Sequence, residues 1–403
     1  MSKKTLLSSH NIPFIYVLSF LRSPWFWMGI WVLYYLRFTN YAGIGVLETV
    51  MILTITLAEI PTGAIADLFG KRKTLVIAFI LMGLGNGFMG LSQQFFHLLV
   101  SVTVACIGVA LASGSLEAIA YDSLKQDQKE STFDVVASRM SGLEFAAPAL
   151  CGILGGFLYA KNPSLPFLMT GLFYLFGAAV ALFLIEPKTD TEKFSLPAFL
   201  SQTKHGFLEL FSSRAMRSLT IFLISIGAFV VMNAEAIDAI ISVDIGFRAE
   251  DLGILWGVIY LAAAGVGQLV PVLRKHFSDT MATYLVGLVY VISAGVTLLF
   301  LHTSQQTLMI VGALMLFARA SIQTVVTSLA GVQINARVQA KYRATALSTY
   351  SMLKSLPYAL TAVLIGFFAD RWGSIYVGAL LGFLCFVIMT WAFVGVRREK
   401  GLF

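Results

Sequence analysis

Eight ionisable residues stand inside long apolar stretches of this 403-residue chain: Arg22, Glu59, Glu117, Glu144, Glu235, Asp238, Arg319 and Lys354. A charge among apolar neighbours is expensive unless it is paired or hydrated, so each is a candidate for chemistry. Five of the eight are acids, and a carboxyl stripped of water binds and releases protons near neutral pH or holds a cation. The guanidinium groups of Arg22 and Arg319 suit carboxylates and other small anions. Glu235 and Asp238 lie three residues apart, on one face of a helix, where two like charges resist ionising together. The set reads as a path for protons or a charged small molecule, with Glu235 or Asp238 as the proton carrier and Glu117 in reserve. Plainer roles stand beside these. Glu59 and Glu117 lie one to two turns from the end of their stretches, within reach of water or loop backbone; Glu235 and Asp238 suit an outer polar patch; Arg22 and Arg319 suit internal counter-ions. Lys354, too deep in its stretch to reach the surface easily, predicts a buried pair.

Other chemistries lack their residues. Cys106, Cys151 and Cys385 each stand alone, and the five histidines fall at or beyond the ends of apolar runs, so no metal site is expected. No GxxxxGK[ST] loop is present, which excludes direct use of ATP through that motif. The sequence predicts no cofactor and no enzymatic activity.

The elements that must position the charges are membrane spans. Hydrophobic residues make up 58% of the chain and charged ones 12%, against about 25% charged in an ordinary soluble domain. Mean hydropathy is +0.83, more apolar surface than a core of this size hides. Apolar stretches fall near 12–36, 45–66, 74–92, 96–120, 138–160 and 164–185, and again near 218–243, 252–273, 280–301, 306–330, 345–369 and 373–396. The first is too long for a secretory signal and reads as a retained span. The expectation is an all-α membrane protein of twelve transmembrane helices in two pseudo-symmetric six-helix bundles, 1–186 and 218–403, joined by a cytoplasmic linker at 187–217. Weak internal similarity supports a duplication: Ser115-Leu116-Glu117 aligns with Ser321-Ile322-Gln323, Pro148 corresponds to Pro357, and Glu144 and Lys354 fall at nearly equivalent positions. With the N-terminus in the cytoplasm, 21 of the 28 Lys and Arg lie on that side and four on the other. That asymmetry predicts both termini in the cytoplasm, and explains the net charge of +7 by orientation and lipid headgroups, without nucleic acid.

The most specific stretch joins spans two and three, Gly63-Ala64-Ile65-Ala66-Asp67-Leu68-Phe69-Gly70-Lys71-Arg72. Glycine permits close helix approach and a tight turn, and basic residues anchor a loop at headgroups. Asp67 needs a partner, either a cation such as Lys71 or the N-terminus of a neighbouring helix. The stretch resembles the signature loop of the major facilitator superfamily through Gly63, Asp67, Gly70, Lys71 and Arg72; Leu68 stands where the family usually has a basic residue. The resemblance implies that Asp67 caps the eleventh span in a cytoplasmic gate with an acid at the end of the fourth, where Asp122 stands; Asp122 also suits an N-cap for a following loop helix. It further implies that spans one, four, seven and ten line the cavity. Val104–Gly108 lacks the arginine of one family proton-coupling motif, and Ala147–Gly152 only partly resembles the antiporter motif. A lookalike, Gly366-Phe367-Phe368-Ala369-Asp370-Arg371-Trp372-Gly373, falls at the outer end of span eleven and reads as a helix-ending turn and not as a second gate.

The expected function is secondary active transport by alternating access, most similar to bacterial drug/proton antiporters: proton-coupled export of a small amphipathic compound from a monomer in the bacterial inner membrane. Its partners are then a small-molecule substrate, protons and membrane lipids. The alternative is proton-coupled uptake or exchange of a small organic anion held by Arg22 and Arg319. A membrane sensor that kept the fold and lost transport is a third reading.

Overall fold

The computed structural model describes residues 3–187, 196–339 and 342–399, and every regular element among them is helical. Each expected apolar stretch falls on helix. In the first half these are α1 (Lys3–Leu21) with α2 (Trp31–Tyr35), α3 (Tyr41–Phe69), α4 (Lys71–Gly90), α5 (Phe95–Ala112) with α6 (Ser115–Gln126), α7 (Phe133–Lys161) and α8 (Leu165–Ala181). After α9 (Leu196–Leu210) come α10 (Arg214–Met232) with α11 (Asp238–Asp244), α12 (Ala249–Val266) with α13 (Val270–His276), α14 (Asp279–Leu299), α15 (Gln305–Asn335), α16 (Arg343–Trp372) and α17 (Ser374–Arg397). Nine helices among the described residues are long and apolar enough to cross a membrane, and His10–Leu21 and Leu165–Ala181 are shorter apolar helices. The fold is an all-α membrane architecture.

Four expected single spans are broken: the eighth passes through a 3-10 turn at Gly267–Leu269, and the other three break each for a local reason. The Arg22 amide still bonds the Leu18 carbonyl at 2.8 Å, but Pro24 has no amide hydrogen and restrains Ser23, so the chain continues in turns to Ile30. The fourth stretch breaks at Gly114, whose φ of +68° is a left-handed conformation that favours glycine, and α6 starts afresh at Ser115. The seventh is interrupted by a π turn at Asn233–Ile237, which takes up an extra residue and offsets the register of α11 from that of α10. The expected linker also carries structure: α9 occupies half of it, and the Leu210 carbonyl accepts from Thr220 Oγ1 at 2.8 Å. Serines 213, 278 and 304 cap α10, α14 and α15 by accepting from the third amide of each helix.

The chain forms two compact units. The first comprises Met1–Phe38, Val50–Leu196 and Ala249–Leu261, and the second Thr39–Thr49, Pro197–Arg248 and Ala262–Phe403. The core of the first gathers Ile15 and Leu18 of α1, Leu75 and Phe79 of α4, Ile119 of α6 and Tyr174 of α8. In the second, Val270, Ala282, Val325 and Leu329 pack together. Large apolar side chains such as Leu299, Leu360 and Trp391 remain exposed, as lipid-facing surface must be.

Candidate functional site

In the first unit, the break at Pro24 leaves Arg22 at the end of α1, and the break at Gly114 puts Glu117 in the first turn of α6, where the helix dipole favours a carboxylate. Arg22 Nη1 donates to Glu117 Oε1 at 2.5 Å and to Glu144 Oε1, from α7, at 3.3 Å. Tyr174 Oη donates to the Arg22 carbonyl at 3.3 Å and accepts from Trp25 Nε1 at 3.0 Å, fixing the backbone that carries the guanidinium. One cation thus faces two carboxylates, a formal charge of −1, and Glu117 Oε2 is buried without a hydrogen-bond partner. That oxygen is an acceptor free for a proton, an ammonium or another donor.

Five residues further along α6, Asp122 Oδ2 meets Lys71 Nζ at 2.5 Å. Asp122 is buried within α6 and caps no loop helix; its partner is the lysine expected as one option for Asp67. The helix joint at Gly70 has φ +86°, and the first amides of α4 are taken by a residue absent from the sequence expectation: Glu186 accepts from Lys71 N at 2.8 Å and Arg72 N at 2.7 Å. The Arg72 guanidinium donates to the Leu182 carbonyl. Asn11 bridges the same region, donating to Ser123 Oγ and the Ile185 carbonyl and accepting from Ile185 N. Gly63, Asp67 and Glu59 lie on the course of α3, but their side-chain surroundings lie outside the described residues.

The second unit separates the two acids expected to act together. Asp238, at the exit of the π turn, accepts from Arg319 Nε at 2.6 Å, and Arg319 Nη1 donates to the Ser293 carbonyl at 3.2 Å. Both side chains are almost fully buried. Glu235, inside the π turn, is exposed and interacts electrostatically with Lys354. The extra residue of that turn spoils the three-residue spacing that would put both acids on one face. Asn233 holds the turn, donating to the Phe229 carbonyl at 2.9 Å and bonding the Tyr290 hydroxyl. Lys354 lies half-buried, 5.8 Å from the centre of the Tyr350 ring. Glu48, near the start of α3, is a buried acid outside the expected set: it accepts from Tyr358 Oη at 3.2 Å and feels the like charge of Glu235. A lone glutamate in the apolar run Gly43–Leu57 was the available signal. Among the described residues, therefore, the expected charges form one open cluster around Arg22, one closed pair at Arg319, and a loose group of Glu235 with Lys354.

The family model for the Major Facilitator Superfamily matches residues 14–360. No curated protein matches the sequence. Solved structures similar in fold include the nucleoside transporter NupG, with TM-score 0.76 and 12% identity, covering 99% of this chain and 100% of that one. A bacterial homologue of the human lysosomal transporter Spinster, inward-facing and unoccupied, has TM-score 0.73 and 15% identity over 98% of each chain. A D-xylose–proton symporter has TM-score 0.68 and 13% identity over 94% of this chain and 97% of its own. At these identities the likeness carries the fold and nothing finer.

Proposed function

The chain belongs to the Major Facilitator Superfamily and is a multi-pass secondary transporter, and from that premise we propose that it couples protons to the export of a small amphipathic compound by alternating access. The Arg22 cluster carries the reading. A guanidinium between two carboxylates leaves an acid in excess, and the unpartnered Glu117 Oε2 offers that acid to a proton or to a donor on the substrate. Proton and substrate then compete for one group, which is the simplest form of antiport. Glu235 with Lys354, and Glu48 behind Tyr358, supply further titratable groups in the second unit.

The alternative, uptake or exchange of an organic anion, needs a guanidinium available to the anion. Arg22 and Arg319 are each engaged by carboxylate, so this reading has less support. We further propose a monomer in the bacterial inner membrane with both termini cytoplasmic, bundles 1–186 and 218–403 joined by 187–217, and Asp67 as a component of the cytoplasmic gate with Lys71 and Asp122.

The test is transport into vesicles holding the purified chain, with an imposed pH gradient and a panel of fluorescent amphipathic cations and labelled organic anions. Gradient-driven movement of an amphipath, lost in Glu117→Gln, is the expected result. Movement of an anion with the gradient, unaffected by Glu117→Gln, would overturn the export reading.

A further inference from the structure

A groove runs between α10 and α17, wholly within the second unit. The two helices lie antiparallel there: Arg214 Nε meets Glu399 Oε1 at 2.8 Å, and further in the Phe222 and Phe393 rings stand 5.8 Å apart. Helical periodicity sets the walls. Ser218 and Ile221 share one face of α10, and Trp391, Val394, Gly395 and Arg398 share one face of α17. The cavity holds about 210 Å³, below the roughly 300–1,000 Å³ that encloses a drug-sized molecule. It fits a length of chain whose remainder lies outside. The walls open outward, with Trp391 70% exposed and Val394 43% exposed, while Ala392 is buried at the back.

Gly395 makes the floor. A glycine inside a helix is destabilising relative to alanine, so its place needs a reason. Elsewhere in α17 the reason is packing: a Cβ on Gly382 would stand 2.8 Å from the Ala294 Cβ, and one on Gly378 would stand 3.0 Å from the Ile241 Cδ1. A Cβ on Gly395 would meet no described atom within 4 Å. The space it leaves serves no helix contact among the described residues; it deepens the groove.

The charge lies at one end. Arg398 lines the groove there, and Arg217 stands one turn along α10 from Arg214; both are exposed, and neither has an ion pair among the described residues. Arg214 is held by Glu399, and Arg397 lies 5.4 Å from the centre of the Phe393 ring. Four arginines against one glutamate leave a formal charge of +3. The N-terminus of α10 and the C-terminus of α17 lie side by side, so their dipoles offset and the arginines set the field. Arg398 comes seven residues after Trp391, which separates them by about 10 Å at about 1.5 Å per residue. An apolar slot thus runs inward from a cationic mouth, with the Ser218 hydroxyl on the opposite wall. A phospholipid has the matching form, and a basic pocket between spanning helices favours an anionic one.

We propose that the groove between α10 and α17 binds one anionic phospholipid. Arg398, with Arg217 at the edge, holds its phosphate, and one acyl chain lies over Gly395 between Ile221 and Trp391. The site lies outside the charged clusters assigned to transport and depends on neither the substrate nor the direction of movement.

The test is native mass spectrometry of the full chain in detergent, titrated with phosphatidylglycerol or with phosphatidylcholine of the same acyl chains. The first phosphatidylglycerol adduct is expected to be about tenfold tighter than that of phosphatidylcholine. Arg398→Gln should weaken it about fivefold, and Gly395→Leu, which fills the floor, should abolish the preference. Arg371→Gln removes the same charge at the end of α16, where α17 begins, and should change nothing. Folding of each variant is checked by size exclusion; if Gly395→Leu fails, Gly395→Ala takes its place with a smaller loss. Equal affinity of the parent for the two lipids would overturn the proposal. So would an adduct that survives both Arg398→Gln and Gly395→Leu at full strength, or one that Arg371→Gln weakens as much as Arg398→Gln does. Inorganic phosphate should leave the adduct in place; complete displacement by it would mean a site for free anions and would also overturn the lipid.

Discussion

The two arginines inside apolar stretches meet carboxylates in opposite ways. Arg22 is 27% exposed, faces Glu117 and Glu144 at 41% and 28%, and leaves one carboxylate oxygen without a partner. Arg319 and Asp238 are 2% and 5% exposed and paired one to one, with Arg319 Nη2 likewise buried without a partner. The first arrangement is wet and unbalanced in charge; the second is dry and balanced. An open cluster can exchange its partners for a proton or substrate at little expense, whereas opening a dry pair strands a charge in a low-dielectric interior. We propose on this difference that exchange chemistry belongs to the Arg22 cluster and register keeping to the Arg319 pair.

The largest effect should come from the dry pair. Arg319→Met leaves Asp238 buried and alone, and should destabilise the protein by about 3–5 kcal/mol, read as a lower unfolding midpoint in detergent. Adding Asp238→Leu removes the stranded charge and should recover most of that loss. If the single variant unfolds like the parent, the pair is not closed and the comparison fails.

Much of this contrast was legible in the sequence, and some of it was not. Arg22, Glu117, Glu144, Asp238 and Arg319 announce themselves because a charge in an apolar stretch needs a reason. Their pairings do not, because the partners lie 95, 122 and 81 residues apart and depend on how helices pack. The twelve stretches fall on helix, since apolar length alone decides that. The breaks at Gly114 and Asn233 were hidden within continuous apolar runs, and the second undid the three-residue argument that joined Glu235 to Asp238. Glu48 and Glu186 went unread for a related reason: each stands near the end of a stretch, where a single acid looks like boundary polarity until a tyrosine or a helix N-terminus is brought against it.

An intermediate effect is expected at Arg22. Arg22→Gln should change the unfolding midpoint little, by about 1 kcal/mol or less, because its partners remain hydrated. Transport should respond far more than stability does, since Glu117 and Glu144 would then face each other without a cation between them. Measuring both in the same preparation sharpens the comparison. A stability loss as large as that of Arg319→Met would place the Arg22 cluster in the dry class.

The smallest structural effect, and the most informative functional one, belongs to Glu117→Gln. The amide keeps the shape of the carboxyl, and its oxygen can still accept from Arg22, so the unfolding midpoint should stay within about 0.5 kcal/mol of the parent. What disappears is the negative charge, and with it the capacity of Oε2 to take up and give back a proton. Downhill exchange of substrate across a vesicle without a pH gradient should survive, because alternation between faces does not require that proton. Accumulation driven by the gradient should be lost, because the cycle no longer carries a proton in the opposite direction. Glu144→Gln supplies the internal comparison: its longer 3.3 Å contact with Arg22 makes it the lesser partner, and it should retain part of the coupling. If Glu117→Gln accumulates substrate with an unaltered pH dependence while Glu144→Gln does not, the two carboxylates have exchanged roles. If neither variant loses coupling, the proton travels through the second unit, where the exposed Glu235 and the buried Glu48 are the groups to substitute next.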